Sequence, residues 1–128
     1  MVVKVQMTDK MFDEEKTNAI EDFMKFLNKH LTLEKDVHLK FTSKKEGSMT
    51  TGQDKPRVMK VLAKNRMFID VLRTLAHEWV HEYQHQIKHE KSTRDIGGPH
   101  ENDANAKSGE LLKLFVRYYP KYKNILYN

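Results

Sequence analysis

LRTLAHEWVHEYQHQIKHE, residues 72–90, decides how this chain is read. It contains His-Glu-x-x-His twice, once from His77 and again from His81, with the middle histidine shared. A helix advances about 100° per residue, so side chains at i and i+4 lie about 40° apart on one face, close enough for two imidazoles to grip one zinc ion. His77 with His81 satisfies this, and so does His81 with His85. Phe68, Val71, Leu72, Leu75, Ala76, Trp79, Val80, Tyr83 and Ile87 recur at helical intervals around the motif, which predicts one amphipathic helix over residues 67–88.

Spacing does not choose between the two copies, but the rest of the helix does. With His77 as origin, the apolar side chains centre at about 220° while His77 and His81 straddle about 20°, so the first pair faces away from its own helix's core contact. Its inner positions, Trp79 and Val80, are uncharged, as burial beside a metal favours; those of the second copy are Tyr83 and Gln84, and its Glu82 lies nearer the apolar edge. The first copy is therefore the preferred metal pair. In this register Glu78 is the general base, taking a proton from the attacking water and handing it to the departing amine, and hydrolysis of an amide is the natural reaction. His85 is left to shape the rim of the site or to assist a developing oxyanion, with a solvated surface histidine as the plainer alternative.

A catalytic zinc takes a third protein ligand and keeps one position open for water. Downstream, GGPHENDANAKSGELL places Gly97, Gly98 and Pro99 as a chain reversal, then a helix from Asn102 to about Tyr118 with Leu111, Leu112, Leu114, Phe115 and Tyr118 as its apolar set and Pro120 as its stop. Glu101 opens that helix and is the expected third ligand. Asn105, one turn further on, is placed to hold a ligand histidine by its other ring nitrogen. His100 is the competing third ligand.

Upstream, Thr8 or Asp9 is a candidate cap for a first helix carrying Phe12, Ala19, Ile20, Phe23, Met24, Leu27 and Leu31 at helical spacing. In VHLKFTS, residues 37–43, Val37, Leu39 and Phe41 alternate with His38, Lys40 and Thr42, the period of a half-buried strand. Gly47, Gly52 and Pro56 mark turns around a short strand at residues 48–51, and RVMKVLA reads as a further strand. Trp79 and Tyr83 read as core, and the tyrosines 118, 119 and 122 read mainly as packing near the C-terminus. His30 and His89 read as surface residues.

The 128 residues, 38% of them hydrophobic, suit one domain, expected to span 1–128. No run of about eighteen apolar residues occurs and the first residues lack a secretory layout, so a soluble, cytoplasmic protein without a membrane partner is expected. Zero cysteines exclude disulfides and thiolate zinc sites, leaving histidine and carboxylate as metal ligands. The net charge of +5 and the pI near 9.3 come from lysines spread along the chain, read as a solvated surface. Nucleic acid is the less favoured partner, because no aromatic-studded basic motif accompanies the charge. A peptide or protein substrate is the favoured one.

His77-Glu78-Trp79-Val80-His81 followed by Glu101-Asn102-Asp103-Ala104-Asn105 resembles the gluzincin metallopeptidases, whose second helix carries Glu-x-x-x-Asp or, in the small ImmA/IrrE-type members, Glu-x-Glu-Ala-Asn. The resemblance covers residues 37–112, and its two motifs are the specific part. It implies an α+β, minimal gluzincin core: an N-terminal helix, a small two- or three-stranded sheet whose edge aligns extended peptide, a zinc helix and a glutamate-bearing helix. The cofactor it implies is Zn²⁺, held by His77, His81 and Glu101. Asp103 stands where the small peptidases often have Glu, Asn105 where the large ones have Asp, and Lys107 falls in a usually apolar stretch. With His100 as third ligand the site resembles SprT-like, DNA-associated proteases instead. A non-catalytic, zinc-stabilised or metal-free binding module is the alternative from outside the enzymes.

Overall fold

A computed structural model describes residues 2–7, 12–43, 58–87 and 99–128, with the side chains of residues 7 and 99–101 outside the description. The turn glycines 47, 52, 97 and 98, the short strand expected at 48–51, His89 and the proposed caps Thr8 and Asp9 lie outside the described residues.

Alternation builds the sheet. β1 (Val3–Met7), β2 (Val37–Thr42) and β3 (Val58–Leu62) form a three-stranded sheet in the order β1-β2-β3. Both pairings are parallel, with Val3 opposite Val37 and Leu39 opposite Met59. Val37, Leu39 and Phe41 point into the core with Met59 and Val61, while Lys4, Gln6, His38 and Lys60 are exposed on the opposite face. The first strand was not foreseen, although Val3 and Val5 alternate with Lys4 and Gln6. Too short to be distinctive alone, it becomes a strand because α1 (Glu14–His30) carries the chain back so that β1 lies parallel beside β2.

The first helix is capped later than expected. Asp13 accepts from the Lys16 amide at 2.8 Å, and Glu14 and Glu15 fill the first turn, where the helix dipole favours negative charge. Phe12 therefore sits just outside the helix, its ring edge-on to Phe41 at 5.1 Å and to Phe68 at 5.9 Å. Ala19, Ile20, Phe23, Phe26 and Leu27 form the buried stripe.

α2 (Phe68–Gln86) and α3 (Pro99–Tyr118) are the two longest helices of the described residues, and they pack against each other. No side chain caps α2; its first amides bond to the chain's C-terminal segment instead, Phe68 N–H to Asn128 O at 3.0 Å and Ile69 N–H to Leu126 O at 2.7 Å. Arg66 braces the entry by donating to Leu62 O at 3.0 Å and Asp70 O at 3.3 Å. Pro120 does end α3, and a 3-10 helix (Pro120–Ile125) follows. Tyr122 is buried there, stacked on Phe115 with centroids 5.9 Å apart and donating its hydroxyl to Asp22, whereas Tyr118 is exposed.

The fold is thus mixed α and β, helices on one face of a small parallel sheet, compatible with the α+β expectation. Among the described residues no helix is long and apolar enough to cross a membrane.

Candidate metal centre

α2 brings His77 and His81 together. Their Nε2 atoms lie 3.1 Å apart and their ring centroids 4.7 Å apart, both side chains half-buried. Two imidazole nitrogens at about 2.0–2.1 Å from one tetrahedral zinc would be about 3.3 Å apart, so the pair needs only slight adjustment to share an ion.

The orientation of His81 has a visible cause. Its Nδ1 lies 3.1 Å from Gln84 Oε1, and Gln84 Nε2 donates to Asp103 Oδ2 at 2.8 Å. A carboxylate only accepts, so the Gln84 amide nitrogen must face Asp103 and its carbonyl must face the ring. The proton of neutral His81 then resides on Nδ1, the tautomer a metal ligand needs, and its Nε2 lone pair accepts from His77 Nε2–H, a proton that a shared metal ion would replace. Asp103 in turn pairs with Lys107 at 3.2 Å. Gln84, the middle of this relay, is 3% exposed, whereas Asp103 at its α3 end is half-buried.

Asn105, expected to hold a ligand histidine, is exposed on α3, with its backbone carbonyl accepting from Ser108 Oγ at 3.0 Å. The position two residues earlier, Asp103, makes the connection through Gln84, an inner residue of the second motif. A signal was available: Gln84 follows His81 by three, a spacing at which helical side chains touch.

The second motif is put to a different use. Glu82 is 8% exposed and accepts from Gln86 Nε2 at 2.9 Å. Gln86 Oε1 receives the amides of Glu34 and Lys35, each at 2.9 Å, and its Nε2 also donates to Lys35 O at 3.3 Å. These bonds tie the α1–β2 connection to α2. His85 is exposed, so the second copy has one histidine in solvent and its glutamate engaged in the fold.

Glu78 is half-buried beside His77. Glu101 falls in the first turn of α3, as expected from the sequence, but its side chain and that of His100 lie outside the described residues. Among the described residues no group of three or more His, Cys, Asp or Glu side chains is gathered as a metal site. Trp79 is fully buried and donates from Nε1 to Leu31 O at 2.9 Å, an anchor between α2 and the end of α1.

Set against protein-family models, curated proteins and solved structures, the chain matches none. The chemistry of the site therefore stands on its own geometry.

Proposed function

We propose that the chain is a zinc-dependent metallopeptidase of gluzincin type, with His77, His81 and Glu101 as the metal-holding residues and Glu78 as general base. The observation that carries the reading is the convergence of the His77 and His81 Nε2 atoms at 3.1 Å, with the Gln84–Asp103 relay holding His81 in the ligand tautomer. An incidental i, i+4 histidine pair on a helix surface would not call for a buried glutamine and a carboxylate from a neighbouring helix behind it.

When bound, zinc would polarise the scissile carbonyl and lower the pKa of water toward about 7. Glu78 carries the proton traffic: its carboxylate takes a proton from the attacking water as the carbon–oxygen bond forms, and returns it to the amine as the carbon–nitrogen bond breaks. His81 is held in place by Gln84, so the relay keeps its Nε2 available as a donor atom throughout. Placed in the first turn of α3, Glu101 supplies negative charge from the helix that packs on α2.

The test combines elemental analysis with peptide cleavage. The purified chain is expected to carry one equivalent of zinc, and Glu78→Gln to keep the metal while losing cleavage of a casein substrate. Metal retained by the wild type without any cleavage would support the non-catalytic module instead. Substituting Glu101 and His100 in turn by Ala identifies the third ligand, since only the true ligand's loss weakens zinc binding.

A further inference from the structure

A groove of about 610 Å³ opens between the first half of α2, the second half of α3 and the C-terminal segment. Its floor is apolar: Ile69 from α2, Leu112 and Val116 from α3, and Leu126. Its rim is basic. Arg73 stands on α2, Lys113 and Arg117 one turn apart on α3, and Lys123 on the 3-10 helix, and all four are exposed. Among the described residues no acidic side chain lines the groove, and only Arg73 of these four has a carboxylate partner, Asp70 at 3.8 Å.

We propose that this groove is a docking site for an acidic peptide segment whose carboxylates alternate with apolar side chains, contributed by a partner protein. The cations surround the apolar floor on three elements, and this spacing selects the occupant. A fatty acid brings one charge at one end and would leave most of the rim unanswered. A nucleic acid brings many charges but no aliphatic side chains for Ile69, Leu112 and Val116. An acidic, apolar-studded peptide answers both, its aliphatic side chains burying against the floor and its carboxylates facing the rim, where complementary charge speeds encounter and sets specificity.

Gly109 makes the site adjustable. It lines the groove in the middle of α3, and a Cβ built there meets nothing within 4 Å. The missing side chain leaves open the space a docked residue would fill. Because that space is open, a larger side chain can plug the groove without displacing the fold. The inference rests on the groove alone and is independent of the metal reading.

The experiment measures fluorescence anisotropy of a dye-labelled peptide of alternating glutamate and leucine against the purified chain at low and high salt. Saturable binding that weakens with salt is expected. Gly109→Leu, and separately the double variant Lys113→Glu/Arg117→Glu, should each weaken it by about tenfold or more, with circular dichroism unchanged and the melting temperature not lowered. A peptide with serine for leucine should also bind more weakly, reporting the floor. The proposal is overturned if a lysine–leucine peptide binds equally well, if neither variant alters affinity, or if the acidic peptide fails to bind while palmitate or phosphatidylglycerol vesicles do.

Discussion

Gln84 on α2 donates to Asp103 on α3 at 2.8 Å, and so links the helix bearing the histidine pair to the helix bearing Glu101. Because the same carboxamide faces His81 Nδ1 at 3.1 Å, a link between two helices and the tautomer of one imidazole run through a single side chain. On the proposed zinc reading, replacing Gln84 by Ala is expected to weaken metal binding about 10–100-fold, the usual loss when a ligand's outer partner is removed. Asp103→Asn keeps an acceptor for the Gln84 amide and should retain most of the affinity. Chelator competition reads both; unchanged affinity in Gln84→Ala would remove the orienting role.

The two motif copies should separate cleanly by mutation. Glu82→Ala removes the shorter of the two acceptors of Gln86 Nε2, leaving Lys35 O at 3.3 Å, and is expected to cost about 1 kcal/mol in urea unfolding while leaving metal content intact. His85→Ala, at an exposed position, should change stability by less than about 0.5 kcal/mol and leave zinc affinity unaltered. Zinc lost from His85→Ala would transfer the metal to the second copy.

Gly109→Ala should stabilise the protein by about 0.5–1 kcal/mol, because alanine is the better helix former and nothing within 4 Å of the new Cβ opposes it. Thermal or urea unfolding reads the gain. A loss of stability would mean that α3 packs more closely at this point than the structure shows.

Tyr122 titrates above the ordinary tyrosine range, first because burial disfavours its phenolate and next because its hydroxyl is bonded to Asp22. A folded-state pKa raised above the unfolded value contributes stability below the unfolded pKa, about 10, and loses it as pH rises further. Stability should therefore fall above about pH 10, and Tyr122→Phe should flatten that part of the profile at some cost at neutral pH from the lost hydrogen bond. An alkaline limb identical in wild type and variant would assign the loss to other groups.

Removing residues 126–128 deprives the Phe68 and Ile69 amides of their acceptors and takes buried Leu126 from the core. The expected loss is about 3 kcal/mol or more. Since the contacts lie at the start of α2, hydrogen exchange should quicken first in that turn. Uniform protection along α2 after truncation would contradict the capping role.

Periodicity alone was enough to locate α2, β2 and the apolar stripe of α1, because side-chain alternation and the 3.6-residue turn are local properties written directly in residue order. It also placed His77 and His81 on one face, since an i, i+4 pair within a helix needs nothing beyond the helix. β1 was not legible, because a five-residue alternation becomes a strand only when a distant partner supplies its hydrogen bonds. The cap of α1 depended on where Phe12 could be buried, against Phe41 and Phe68, and that too is a distant matter. Burial of the polar residues Glu82, Gln84 and Gln86 was decided by the two segments packed on either side of α2, although Glu82 already lay near the apolar edge of the helix. Gln86 found partners there in the Glu34 and Lys35 amides and Gln84 in Asp103, while Glu82 accepts from Gln86, and only assembled neighbours satisfy such buried amides.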